Sequence, residues 1–316
     1  MATDSPDISP PHVHRRHIWF SPLRVLTLAG GTFTQLVRMK VFYFMALFAV
    51  AVITASFAFA DLQTDGQLKL LKDVSLASMS LFSMLFAIAG TALLIPRDIE
   101  DRTLYTILCK PVPRLEYLLG KLLGVVFLIF ISLILMDALF SAVLYLKEQA
   151  ILSEQLGALQ DAMQNNKFAS RDEFEANIAS VAEEMSGQGL TWQLQNGVIA
   201  IFLKATVLTG VTLLVSTFAS STIFTIMTSL AIMVIGQAQS LARDVLIGQD
   251  ASLIPRLIAG AVSLFFPDFK AFDITDAVIT GGTVPALIMG KMAGLTVVYL
   301  VIHLMAAYIL FSDKEL

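Results

Sequence analysis

The sequence predicts an all-α integral membrane protein with six transmembrane helices, and two observations lead to that fold class. The 316 residues are 56% hydrophobic and 15% charged, and their mean hydropathy is +0.76. A soluble domain has nearer to about 25% charged residues, so the composition favours the membrane class. The apolar residues also fall into six runs. At about 1.5 Å per residue, each run can cross a hydrocarbon layer of about 30 Å.

The first 20 residues are mostly polar and contain several prolines, which predicts a disordered cytoplasmic tail (1–20) before a single transmembrane domain (21–316). Arg15 and Arg16 superficially suggest a twin-arginine export signal. That interpretation is disfavoured, because Arg24 interrupts any apolar core and no small-residue cleavage site follows.

An amphipathic helix is predicted from Pro22 to Lys40. Leu26, Phe33 and Leu36 would form its apolar face, and its basic residues would anchor it at the membrane surface. An ordinary membrane-proximal helix is the alternative. The six predicted spans that follow are 41–60, 75–95, 122–146, 196–217, 222–242 and 286–311. The fourth and fifth are so close in sequence that they should form a tight helical hairpin.

The distribution of Lys and Arg predicts the orientation. If both termini are cytoplasmic, 11 of the 21 Lys and Arg residues lie inside, and most of them fall in the lead-in helix and the first inner loop. The outer loops hold fewer, spread over much more sequence. We therefore expect a multi-pass protein of the cell inner (plasma) membrane, with the loop at 96–121 on the cytoplasmic side.

The outer loop at 147–195 is too long for a connector and too polar for a span. Leu152 and Leu156 recur at helical spacing, and Ser170 with Glu173 forms a capping box that would start a second helix. We expect an extracytoplasmic helical hairpin that is acidic overall. It is either a lid or partner-binding site, or a merely solvated insertion.

The cytoplasmic loop at 96–121 reads PRDIEDRTLYTILCKPVPRLEYLLGK and is the only strongly charged, internally ordered segment between two long apolar runs. Carboxylates crowd its start, where the positive end of a helix dipole favours them. An apolar stripe follows at helical spacing, and Pro111 and Pro113 end the helix. This pattern predicts a short amphipathic helix held at one membrane face, which is a docking element.

The loop resembles the first cytoplasmic loop in the permease subunits of ABC transporters of the type-two exporter class. The shared features are an acidic residue, a Thr-Leu turn, a Lys-Pro step, an Arg, and a Gly-Lys entering the third span. In this chain they are Glu100, Thr103, Leu104, Lys110, Pro111, Arg114, Gly120 and Lys121. The resemblance covers the whole chain, from the basic amphipathic lead-in through six spans.

This resemblance implies a permease, acting as a homo- or heterodimer, that is driven by a separate cytosolic ABC ATPase. ATP and magnesium would bind that ATPase, with no cofactor on this chain. Polar contacts to the ATPase would come from Glu100, Arg97 and Arg102, and Leu104 and Leu108 would fill its cleft. The full set of expected coupling residues is Arg97, Asp98, Glu100, Arg102, Thr103, Leu104, Leu108, Lys110, Pro111 and Arg114.

Charged and polar residues inside the spans are candidates for a transport pathway, because each is costly there unless it is satisfied. Asp137 and Lys204 are placed at similar depth on consecutive spans, where they could form an ion pair or contact cargo. Gln237 and His303 are either interhelical hydrogen-bonding residues or ligands. Gly290 and Gly294 form a small-residue pair that would let another helix approach closely.

Catalytic and metal-binding motifs are missing from the sequence. It has no P-loop, HExxH, GxSxG or paired-cysteine metal motif, so we expect no enzyme activity and no metal site. The single cysteine, Cys109, is expected to be an inert thiol. We expect the lipid bilayer, but no nucleic acid, as a further partner. The alternative function is a non-transporting membrane scaffold or assembly factor that recruits a partner through the outer hairpin.

Overall fold

A computed structural model describes residues 20–60, 67–100, 113–164, 175–180, 189–219, 221–246 and 266–312. Within these ranges the protein is all-helical and contains no β-strand. The helices are α1 (Pro22–Val37), α2 (Lys40–Ala60), α3 (Gln67–Ala92), α4 (Leu94–Glu100), α5 (Arg114–Gln164), α6 (Gln193–Phe218), α7 (Thr222–Leu246), α8 (Thr275–Ile279) and α9 (Ala286–Ser312). A single turn of 3-10 helix, Phe269–Phe272, precedes α8, and residues 175–180 are also helical.

Five of these helices are long and apolar enough to cross a membrane: Gln67–Pro96, Arg114–Gln164, Gln193–Phe218, Thr222–Gln239 and Ala286–Ser312. A sixth is reached if Pro22–Val37 and Phe42–Ser56, which meet at a bend of 68°, count as one broken span. The all-helical, multi-pass membrane class predicted from the sequence is therefore supported. The exact number of spans is left at five or six.

The predicted spans correspond closely to α2, α6, α7 and α9 but not to α3 and α5. Helix α3 begins at Gln67, eight residues before the predicted span at 75. Its early start has a packing reason, because Leu68, Leu71 and Lys72 in its first turns are buried. Sequence hydropathy marks where a span is apolar, whereas the helix itself continues as long as its backbone and packing allow.

Helix α5 is the largest departure from prediction, because it runs for 51 residues from Arg114 to Gln164. The predicted span at 122–146 and the first arm of the predicted outer hairpin are one unbroken helix. No proline interrupts this stretch, so its backbone hydrogen bonds can continue past the apolar boundary. The second arm is represented by the helical residues 175–180, and its capping box at Ser170 and Glu173 lies outside the described residues.

Helices α3 and α6 form the centre of the bundle. Most of their apolar windows are buried, whereas those of α7 and α9 are largely exposed on the outside. Helix α6 packs against α3 and α9, and α2 packs against α3 through a group of aromatic rings. The Phe42 and Phe86 ring centroids, for example, lie 5.4 Å apart in an edge-on arrangement. The outward faces of α7 and α9 are those expected to meet lipid.

Helix α1 packs along the first part of α5 at two glycines. A Cβ added to Gly120 would lie 2.5 Å from the Leu28 Cβ, and one added to Gly124 would lie 2.5 Å from the Thr32 Cβ. Close approach of these two helices therefore requires glycine at both positions. The sequence drew attention to Gly290 and Gly294 instead. A Cβ at either of those would meet nothing within 4 Å among the described residues.

Candidate functional site

Two groups of polar residues lie at opposite ends of the bundle. The basic end carries Arg24, Arg114 and Lys121, and it is where α4 ends and α5 begins. The opposite end carries a cavity between α3, α6, α7 and the segment that contains α8. Two of the predicted coupling residues, Asp98 and Arg114, belong to the first group. Two of the predicted pathway residues, Lys204 and Gln237, line the cavity.

At the basic end, a buried ion pair joins α4 to α5. The Lys121 Nζ lies 2.6 Å from the Asp98 Oδ2, and the two residues are 6% and 5% exposed. The Tyr117 hydroxyl donates a second hydrogen bond to the same Asp98 oxygen, at 2.7 Å. A buried carboxylate is tolerated only when it is paired and hydrogen-bonded, and Asp98 meets both conditions. The residues that flank the loop at 101–112 are thus joined inside the bundle.

The same region is attached to the end of α9. Arg114 donates hydrogen bonds to the carbonyl oxygens of Phe311 and Ser312, the last residues of that helix. These are carbonyls that have no partner within the helix, and a cation is favoured at this end of the helix dipole. The Tyr117 and Phe311 rings also stack, with centroids 5.9 Å apart. The start of α5 therefore holds the C-terminal end of α9.

A second buried carboxylate attaches α1. Glu116 is fully buried and accepts two hydrogen bonds from the Arg24 guanidinium, at 2.7 and 2.8 Å, and one from the Ser21 backbone N–H at 2.8 Å. Further along α1, the Gln35 Oε1 accepts a hydrogen bond from Lys121 at 3.3 Å. Bidentate Arg–carboxylate pairs fix geometry as well as charge. Helix α1 is therefore bound to the start of α5 near both of its ends.

The expected coupling residues divide into three groups. Asp98 and Arg114 contact this chain itself: Asp98 is buried and pairs with Lys121, and Arg114, which is partly exposed, donates to the end of α9. Arg97 and Glu100 belong to α4, but their side chains are not described. The others lie outside the described residues: Arg102, Thr103, Leu104, Leu108, Lys110 and Pro111.

Sequence reasoning missed Glu116, Tyr117, Arg24 and Gln35 as parts of the basic-end cluster. The available signal was the pair Glu116-Tyr117 placed at the start of a long apolar helix, where a carboxylate and a phenol need partners. The partners of Glu116 come from a helix about 90 residues earlier in the sequence, and the partner of Tyr117 is Asp98 on α4, 19 residues earlier, so spacing along the chain could not identify them.

The expected pairing of Asp137 with Lys204 is not formed. The Asp137 Oδ1 accepts a hydrogen bond from the Gln195 side chain at 3.4 Å. Gln195 lies nine residues before Lys204 on α6, a separation of about 13 Å along the helix axis. The prediction assumed that residue 146, the end of the third predicted span, and residue 196, the start of the fourth, lie at the same height on the outer side of the membrane. In the structure Asp137 is level with Gln195, close to the start of α6, and therefore lies further out than Lys204.

The cavity at the opposite end has a volume of about 380 Å³. Its polar lining consists of Asp73, Ser80, Lys204, Gln237, Asp273, Thr275 and Asp276, and its apolar lining comes mainly from α3. We call it the acidic-rim cavity, because Asp73, Asp273 and Asp276 are exposed and Lys204 is 7% exposed. The cavity thus brings Lys204 together with Gln237, as two pathway candidates, and excludes Asp137 and His303.

His303 is buried in α9, where its Nδ1 lies 2.7 Å from the Tyr299 carbonyl oxygen one turn earlier. It therefore has a structural contact within its own helix. Among the described residues, no group of three or more His, Cys, Asp or Glu side chains could hold a metal ion.

No protein-family model matches the chain, and no curated protein matches it.

Proposed function

We propose that this chain is the membrane-spanning permease subunit of an ATP-driven ABC transporter of the exporter class. In this proposal both termini are cytoplasmic, the basic end faces the cytosol and α1 lies along the inner membrane surface. A separate cytosolic ATPase binds ATP and magnesium, and the permease works as a pair. The observation that carries the proposal is the buried Asp98–Lys121–Tyr117 cluster at the two flanks of the loop at 101–112.

The cluster supports coupling because it joins the flanks of the loop to the bundle. A docking loop can transmit force only if its own ends do not move independently of the spans. Here one flank is joined to α5 through Asp98, and the other flank is joined to α9 through Arg114 and to α1 through Glu116. Buried, charge-assisted contacts of this kind resist separation much better than exposed ion pairs do.

In the proposed complex, Glu100, Arg97 and Arg102 make the polar contacts to the ATPase, and Leu104 and Leu108 fill its cleft. Closure of the ATPase on nucleotide then moves the loop, and the joined helices α1, α5 and α9 move with it. The acidic-rim cavity at the other end of the bundle supports a pathway whose accessibility changes during this movement.

The proposal is tested by co-purification of the ATPase and by ATP turnover in reconstituted vesicles. Glu100→Arg should place like charges against a basic surface of the ATPase and abolish pull-down, because mismatched charges at a desolvated contact are costly. Leu104→Asp should act in the same way by burying an unpaired charge. The matched control is Glu154→Arg, because Glu154 is an exposed residue far along α5. This variant should retain both ATPase pull-down and ATP turnover.

The scaffold alternative predicts a different result. If Glu100→Arg and Leu104→Asp both retain full ATPase capture and turnover, the loop does not couple the two proteins. A partner recruited by the outer part of α5 would then be the better explanation, since this helix continues well past the apolar boundary at 146.

A further inference from the structure

The buried lysine of the acidic-rim cavity has no acceptor among the residues that the structure describes. Lys204 is 7% exposed, and its ammonium makes neither a hydrogen bond nor an ion pair within 4 Å with any described residue. Asp273 is the carboxylate that attracts it through space. A cation this deeply buried is costly unless an acceptor reaches it. The lining of the cavity therefore leaves a binding position for an anionic group beside Lys204.

The carboxylates at the rim of the cavity require a cationic group, whereas Lys204 requires an anionic one. Asp73 and Asp276 are exposed carboxylates that form no ion pair with a described residue, and Asp273 already faces Lys204. With three carboxylates and one ammonium, the lining has an excess of negative charge. A purely anionic ligand would meet this excess, and a purely cationic one would meet the buried Lys204. A ligand that carries both charges satisfies both positions.

The order of these groups along the bundle can be read from the helices. A Cβ at Gly197 of α6 would lie 3.8 Å from a Leu76 side-chain atom, so those two positions are level. Asp73 lies before Leu76 and therefore further out, whereas Lys204 lies seven residues past Gly197, about 10 Å deeper. Lysine side chains in helices point back toward the N-terminus, which brings the ammonium outward toward Asp273.

An apolar stripe continues from these charges toward the middle of the bundle. Leu81 and Leu85 come about two and three turns after Asp73 on α3 and also line the cavity, and they remain 49% and 38% exposed. Met84 and Met233 complete this part of the lining. Counted from Leu76 at about 1.5 Å per residue, Leu81 lies about 8 Å deeper and Leu85 about 14 Å deeper. From the outside inward, the cavity thus presents carboxylates, then an ammonium with Leu81 beside it, then the open apolar surface of Leu85.

We propose that the acidic-rim cavity binds a single-chain or double-chain amphiphile with a zwitterionic head, its ammonium group outermost, its phosphate or carboxylate next and its hydrocarbon chain innermost. The ammonium lies against Asp73 and Asp276, the anionic group accepts from Lys204 and Gln237, and the chain follows Leu81 and Leu85. A phosphoethanolamine lipid has this order of groups. As the class of cargo, this assignment rests on the proposed permease function; as a binding site, it does not.

The test uses radiolabelled decanoyl-lysophosphatidylethanolamine and the purified full-length protein in maltoside, with binding read by scintillation proximity. We expect saturable binding. Competition by lysophosphatidylglycerol of the same chain length, by decylammonium and by chain-free phosphoethanolamine should each be at least about tenfold weaker, because each lacks one of the three features. Equal competition by lysophosphatidylglycerol or decylammonium would overturn the zwitterion assignment. Equal competition by phosphoethanolamine would overturn the amphiphile assignment.

Variants assign the binding to this cavity. Lys204→Met should weaken the affinity by about tenfold or more, since a hydrogen bond to a charged group is lost. Lys204→Arg, which keeps the cation, should stay within about threefold of the unchanged protein, so that the loss in Lys204→Met is assigned to the charge; equal elution of the two variants as a single size-exclusion peak excludes a folding defect. The matched control is Lys291→Met in α9, an exposed lysine outside the cavity, which should bind normally. Unchanged affinity in Lys204→Met would overturn the site.

This binding measurement requires no ATPase, so its failure is distinguishable from failure of the permease proposal. Loss of lipid binding with intact ATPase capture would remove only the ligand assignment. Intact lipid binding with no ATPase capture would remove only the permease proposal and leave a lipid-binding membrane protein.

Discussion

At the scale of single residues, the basic end depends on carboxylates that are buried only because other side chains satisfy them. Asp98 accepts a hydrogen bond from the Tyr117 hydroxyl and forms an ion pair with Lys121. Glu116 accepts hydrogen bonds from the Arg24 guanidinium and from the Ser21 backbone N–H. Removing one member of such a group leaves an uncompensated charge, whereas removing both members of a pair leaves none. The stability of this end is therefore sensitive to single changes in a way that exposed charges are not.

Lys121→Met should destabilise the protein by about 3–5 kcal/mol, because Asp98 loses its cation while it stays buried. The double variant Asp98→Asn with Lys121→Met should recover part of that loss. The measurement is the free energy of unfolding in a denaturing detergent. Lys40→Met, at an exposed position, is the control and should change little. If Lys121→Met costs no more than the control, the pair does not stabilise the bundle.

Residue-level predictions from the sequence succeeded only partly, for a physical reason. Lys121 was singled out by its place in a loop motif, but its partner Asp98 was assigned to a contact outside the chain. Asp137 and Lys204 were placed at similar depth on consecutive spans, where they could pair, yet the relative height of two helices is set by how they pack and not by the apolar bounds of each run. Hydropathy reports where a segment is apolar and not how far neighbouring helices are shifted along their axes.

At the scale of elements, the contact between α1 and α5 is the closest helix packing described above. The backbone carbonyl of Ala29 would lie 2.8 Å from a Cβ at Gly124, so a side chain there has no room unless α1 moves. Because α1 is also held by Glu116 and Lys121, such a movement would strain both hydrogen-bonded attachments. The sequence predicted α1 and its amphipathic pattern. The face of α5 that receives α1 is marked by Gly120 and Gly124, a small-residue pair with the same spacing as Gly290 and Gly294, and the prediction overlooked it.

Gly124→Ala should destabilise the protein by about 1–3 kcal/mol through overpacking against α1. Gly157→Ala is the matched control on the same helix, since a Cβ there meets nothing within 4 Å. That control should be neutral or stabilising by up to about 1 kcal/mol, because alanine is the better helix former. The measurement is the free energy of unfolding of Gly124→Ala compared with that of Gly157→Ala. Equal effects would contradict tight packing at Gly124.

At the scale of the whole molecule, the described helices form a multi-pass bundle with charges concentrated at its two ends. The balance of Lys and Arg predicts that the basic end is cytoplasmic, and the acidic-rim cavity would then open on the outer side. Composition and the six apolar runs were enough to predict the all-helical membrane class. The cavity itself could not be predicted, because its lining comes from four segments that are distant in sequence.

Orientation is checked by labelling intact cells with a membrane-impermeant thiol reagent. In a Cys109→Ser background, cysteines placed at Ser170 and at Asp273 should react, because both positions are expected to be outside. Native Cys109 should not react until the membrane is permeabilised. Labelling of Cys109 in intact cells would reverse the orientation and would remove the basis for an inward-facing docking loop.

The 51 residues of α5 also have a mechanical consequence. At about 1.5 Å per residue the helix is about 76 Å long, more than twice the thickness of a bilayer core. Its first turns are attached to α1, α4 and α9 at the basic end. A rigid tilt of about 5° about that end would displace the far tip by about 7 Å. A pair of spectroscopic labels near Gln164 and on α9 would therefore register, on one side of the membrane, small rotations that originate on the other.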